Sequence, residues 1–111
     1  MKDGYQKFFE DTFADKCSPE NYNDAVQEAI KQEARTVPGM VGKIGRSMLK
    51  YGNAAEVAAG HGCTKSFVHR YYASFRKRMR HPKHSRAILM ACGAEKLPTT
   101  YADKSRRDHL K

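Results

Sequence analysis

The sequence predicts an all-α domain, and three observations predict it. Apolar residues recur at helical intervals, as in Tyr5, Phe8, Phe9 and Phe13, or Val41, Ile44, Met48 and Tyr51. Residues that start helices (Ser18, Asn53, Thr64) and residues that stop them (Gly52, Pro82, Gly93) punctuate these runs. No segment alternates apolar and polar residues as a strand does, and no internal repeat or low-complexity tract is visible. At 111 residues the chain is long enough for one modest core and too short for two ordinary domains.

The first helix is expected over Gly4 to Lys16, with its aromatic stripe in need of a partner. Ser18-Pro19-Glu20 restarts a helix: serine as N-cap, proline in the first turn, acid at the positive end of the dipole. This second helix is expected to reach about Arg35 and to bury Tyr22, Ala25, Val26, Ala29 and Ile30. Thr36-Val37-Pro38-Gly39 breaks the pattern. A third helix follows from about Met40 to Tyr51, burying Val41, Ile44, Met48 and Tyr51. Gly42 and Gly45 weaken it by about 1 kcal/mol each unless another backbone packs closely there.

Gly52 suits a left-handed helix end, and Asn53-Ala54-Ala55-Glu56 suits a capping box for a short fourth helix, about Ala54 to Gly60. A tight His61-Gly62-Cys63 turn leads to Thr64, the N-cap of a fifth helix running from Lys65 to about Arg80, where Pro82 stops it. Ser85 to Cys92 reads as a further short helix ended by Gly93. Beyond Leu97-Pro98 the chain is polar and basic, either one weak helix capped by Thr100 or a flexible arm.

Charge is segregated along the chain. Residues 1–35 hold five Lys/Arg and eight Asp/Glu, a balance of −3, whereas residues 36–111 hold sixteen and four, a balance of +12, giving the net +9. Such asymmetry points to a polyanion-binding portion beside an acidic one. Three regions follow: acidic N-terminal helices (1–36) for packing or dimerisation, a basic helical core (37–93), and a basic C-terminal arm (94–111).

Other classes are disfavoured. No run of about 18 apolar residues and no signal-peptide pattern is visible, so no membrane partner is expected and a cytoplasmic placement is. Cys17, Cys63 and Cys92 are odd in number and never arranged as CxxC, so reduced thiols are expected and no disulfide framework. His61, Cys63, His81 and His84 fit no common zinc spacing, and no metal, cofactor or small-molecule ligand is expected. The basic portion has only Glu56, Glu95, Asp103 and Asp108, with no close carboxylate pair to hold magnesium; an enzyme such as a small nuclease is not expected.

The stretch AAEVAAGHGCTKSFVHRYYA, Ala54 to Ala73, resembles the helix-turn-helix of phage repressors and bacterial transcription regulators. Val57 and Ala58 stand at the fourth and fifth places of that twenty-residue motif, Gly62 at the ninth, Cys63 at the tenth, Val68 at the fifteenth and Tyr71 at the eighteenth. The run from Gly62 to Arg70 is also similar to the pattern that opens many recognition helices. Two residues depart from the twenty-residue motif: His61 stands at its eighth place, usually apolar, and Gly60 sits late in the fourth helix. Ala58 is small where two helices cross, and Gly62 allows positive φ, which costs other residues roughly 1 kcal/mol or more. The resemblance covers about a fifth of the chain.

The resemblance implies that Lys65, Ser66, Phe67, His69, Arg70 and Ala73 face base edges in a major groove. Arg70 is suited to guanine and Phe67 to a thymine methyl, although Phe67 suits the core as well. Thr64 and Asn53 cap helix N-termini that commonly hold phosphates. Lys43, Arg46 and Lys50, together with Arg76, Lys77, Arg78, Arg80, Lys83 and Arg86 of a run without acid, are expected at phosphates. The implied function is sequence-specific binding of double-stranded DNA, by a small transcriptional regulator or a replication-origin-binding module of a phage, plasmid or mobile element. The alternatives are the N-terminal targeting domain of a longer initiator or nuclease, and a basic RNA-binding protein. The stripe of Tyr5, Phe8, Phe9 and Phe13 is either core or the interface of a homodimer formed through the N-terminal helices; the dimer is preferred because one helix-turn-helix reads few base pairs.

Overall fold

Capping residues decide where most of the helices begin. In the computed structural model, which describes residues 4–94 and 97, α1 spans Gly4–Phe13, α2 Asp24–Ala34, α3 Gly39–Tyr51, α4 Ala54–His61, α5 Lys65–Met79 and α6 Pro82–Ala91. One short 3-10 helix, Pro19–Asn21, precedes α2, and no strand occurs among the described residues. The domain is all-α, as the periodicity predicts. Of the C-terminal arm expected over 94–111, all but Ala94 and Leu97 lies outside the described residues.

Several expectations about the helices need correction. The helix expected from Ser18 is two pieces, because Ser18 supports only the 3-10 turn while Asn23 recaps the chain, accepting from the Val26 amide at 2.9 Å. Ala25 is consequently exposed. Helix α6 starts at Pro82 and not at Ser85: the proline that ends α5 also opens α6, and the His81 side chain caps it by accepting from the Lys83 amide. Tyr71, at the eighteenth place of the motif, is only half-buried, whereas its neighbour Tyr72 enters the core with Val68, Phe75 and Met79. Tyr51 was expected inside and is 52% exposed.

Helix α5 packs against α3, α4 and α6, while α1 lies on α3, and α2 contacts both α6 and α3. Phe8, Phe9, Phe13 and Phe75 are fully buried, with Phe8 5.5 Å from Phe75 and 6.5 Å from Tyr72 between ring centroids. The N-terminal aromatic stripe is therefore covered within the chain, and residues from both sides of the expected boundary at Thr36 share one core. Gly45 makes the close approach of α5 to α3 possible: a β-carbon there would overlap the Phe75 ring. At Gly45 a side chain, and not a backbone, fills the space, whereas at Gly42 the Val37 carbonyl is the close backbone the sequence called for.

Candidate nucleic-acid interface

The turn between α4 and α5 is held by backbone and side-chain hydrogen bonds together. Gly62 adopts the left-handed conformation, φ 65° and ψ 37°. The Cys63 amide then donates to the Ala58 carbonyl at 3.0 Å and the Gly62 amide to Ala59 at 3.4 Å, the paired bonds of a Schellman end. Two residues on, Thr64 restarts the chain: its hydroxyl accepts from the Phe67 amide at 3.1 Å. At the other end of α4 the Asn53 side chain accepts from Ala55 and Glu56 amides at 2.8 and 3.3 Å. Asn53 and Thr64 are exposed, so each keeps its own N–H or O–H for donation outward.

Because α5 starts fresh after this bend, only one of its faces enters the core. Lys65, Ser66, His69, Arg70 and Ala73 are exposed, and Lys77 and Arg78 continue on the solvent side. No carboxylate occurs anywhere in α5. Phe67 divides the two readings open to it: half-buried, its ring lies 4.4 Å from that of Tyr71, and the pair forms an aromatic flank beside the exposed face.

The cations expected at phosphates separate into two groups. Lys43, Lys50, Lys77, Arg78 and Lys83 are exposed. Arg46, Arg76 and Arg80 are instead engaged at the C-terminal ends of helices, where carbonyls lack partners of their own. Arg46 donates through one nitrogen to the Ala34 and Val37 carbonyls, both at 2.9 Å, at the end of α2. At the end of α1, which has no basic residue in its last turn, Arg76 donates to Thr12 Oγ1 and the Asp11 carbonyl. Arg80 donates to the Thr12 carbonyl and, bidentately, to both Asp15 oxygens at 2.9 Å. The bonded Arg80 guanidinium lowers the Asp15 carboxyl to a pKa of about 2, and Asp15 raises Arg80 in return. Arg86 is half-buried.

Two basic hollows flank this surface. One, of about 300 Å³, is lined by Lys43, Arg46, Ser47, Lys50, Tyr51 and His61. Across it, Ser47 Oγ and His61 Nε2 are 2.9 Å apart, and Lys50 Nζ lies 5.3 Å from the Tyr51 ring centre. The other, of about 380 Å³, lies at the elbow between α5 and α6 and is lined by Lys77, Arg78, His81, Lys83 and His84. His84 is anchored there through Nδ1, 3.0 Å from Glu33 Oε1 and 3.3 Å from Thr36 Oγ1. Sequence reasoning missed Ser47, Tyr51 and His61 as a group. The available signal was the polar spacing of Lys43, Arg46, Ser47 and Lys50 along one face of α3.

Among the described residues, no group of three or more His, Cys, Asp or Glu is placed to hold a metal ion, and no helix is long and apolar enough to cross a membrane. Comparison with protein-family models, curated proteins and solved structures found no match.

Proposed function

We propose that this chain binds double-stranded DNA sequence-specifically, inserting the N-terminal half of α5 into the major groove. One observation carries the reading. Lys65, Ser66, His69 and Arg70 form an exposed, acid-free face immediately after a tight turn, on a helix whose opposite face is fixed in the core. The Gly62 bend and the two caps support it, because they set the direction in which α5 leaves α4. Exposed lysines on α3 and around the α5–α6 elbow supply sequence-independent attraction to the backbone. Such a module serves a small transcriptional regulator, or the origin-binding part of a replication protein, of a phage, plasmid or mobile element. The aromatic stripe of α1 is buried within the chain, so two-fold pairing would have to use other surfaces.

Selection from random duplex DNA tests this reading. A consensus is expected, and on it Arg70→Ala should cost about 1–3 kcal/mol and relax preference at one base pair. Lys77→Ala should weaken all duplexes alike and lower the salt slope by about one. Failure to enrich any sequence, with tighter binding to structured RNA, would overturn the proposal.

A further inference from the structure

The groove between α3 and the end of α4 is built unlike the rest of the surface. Lys43, Arg46, Ser47 and Lys50 recur at i, i+3, i+4 and i+7, so they form a single polar stripe along α3. Two like-charge neighbours within it, Lys43 with Arg46 and Arg46 with Lys50, work against the helix that carries them. No carboxylate lines the groove to offset them. Of the charges there, Arg46 is held by backbone carbonyls, through one nitrogen.

His61 adds a further observation. It stands where the resembling motif is usually apolar, yet here it faces α3 and contacts Ser47 at 2.9 Å. With its hydrogen on Nε2, the imidazole donates to Ser47 Oγ, and the serine hydroxyl is left to donate outward. The same groove then presents a hydroxyl donor, two exposed ammonium groups and the outer nitrogens of Arg46. That donor set suits the non-bridging oxygens of a phosphate group. The Tyr51 ring, exposed and beside Lys50, offers a flat apolar rim for the attached sugar or base.

We propose that this groove is a phosphate-binding site, made by Lys43, Lys50 and the Ser47–His61 pair, which holds one backbone phosphate of the bound strand. The identification of the strand rests on the DNA-binding function proposed above; the site itself does not. His61 is followed directly by the Gly62 bend, four residues before Lys65, so a phosphate held here fixes the register of α5 on the duplex.

The test is nuclear magnetic resonance of the full chain titrated separately with a selected duplex and with inorganic phosphate. With duplex, the Ser47 and Lys50 amides and the His61 imidazole should shift together with the Lys65 to Arg70 amides. Ser47→Ala should weaken all duplexes by about 3- to 10-fold without lowering Tm, and Lys43→Gln with Lys50→Gln should lower the salt slope by about two. Shifts in the groove with inorganic phosphate but not with duplex would keep the site and assign it to a free anion. Shifts along α5 alone on adding duplex, with the groove silent to both ligands, would overturn the groove and leave the DNA-binding reading standing. Silence along α5 would overturn that reading instead, and the phosphate titration would then decide the groove by itself.

Discussion

Replacing Arg80 by alanine tests whether it is a structural cation or one of those proposed to face DNA. Its guanidinium meets three oxygens: both of Asp15, and the carbonyl of Thr12 in the last turn of α1. The Arg80 and Asp15 side chains are 43% and 55% exposed, so solvent screening limits their ion pair to about 0.5 kcal/mol. The bond to Thr12 contributes about 1 kcal/mol more, because it satisfies a helix-end carbonyl on a buried residue. The sum, about 1.5 kcal/mol, corresponds to a fall in Tm of roughly 5–10 °C for a domain of this size. The Asp15 share also sets a pH dependence. Because the folded-state carboxyl is held at about 2 against an ordinary 3.8, its contribution is complete above about pH 4 and disappears as the pH falls towards 2. Thermal denaturation of Arg80→Ala at pH 7 and pH 2.5 reads both effects, with a smaller deficit in acid. An unchanged Tm, accompanied by a drop in the salt slope of DNA binding equal to that of Lys77→Ala, would refute the structural role and return Arg80 to the phosphate-binding set.

Three further outcomes follow from the packing. Gly45→Ala gains about 1 kcal/mol of helix propensity but drives a methyl into the buried Phe75 ring, so a net loss of about 1–2 kcal/mol is expected; a higher urea midpoint at unchanged m would contradict it. Among the thiols, half-buried Cys63 should react with a maleimide first at pH 8, whereas buried Cys17 and Cys92 should wait for unfolding. Burial, with a hydrogen bond involving Cys17, pushes the Cys92 thiol up to about 12, and three equally fast thiols would disprove the arrangement. Asn53→Ala removes the acceptor for two amides at the start of α4 and should cost about 1 kcal/mol, measured by chemical denaturation; an unchanged midpoint would show the cap to be unimportant.

Where a helix edge has a single strong local cause, it was legible. Gly52 and Asn53, then Gly62 and Thr64, set α3, α4 and α5 to within a residue or so, because left-handed glycine and a side-chain acceptor leave little choice. Two causes in competition defeated the same logic. Ser18 and Asn23 both signal a helix start, and only the three-dimensional course of the chain shows that Asn23 begins α2. Adjacent Tyr71 and Tyr72 likewise both fit the inward face by spacing, and packing against Phe8 and Phe75 buries Tyr72 the more deeply. The exposed cations of the candidate interface were readable by residue type. The inward turn of Arg76 and Arg80 was not, because their partners lie more than sixty residues earlier in the chain, beyond any local pattern.

Helix α5 is at once a wall of the interior, on its buried face, and the carrier of an outward row of side chains. Its inner residues Val68, Tyr72, Phe75 and Met79 interlock with neighbouring helices, so the helix has little freedom to roll or slide. Lys65, Ser66, His69 and Arg70 are thus mounted on a rigid axle: whatever rotates the buried half rotates the outer row by the same angle. Substitutions deep in the interior can therefore re-aim that row without touching any residue in it.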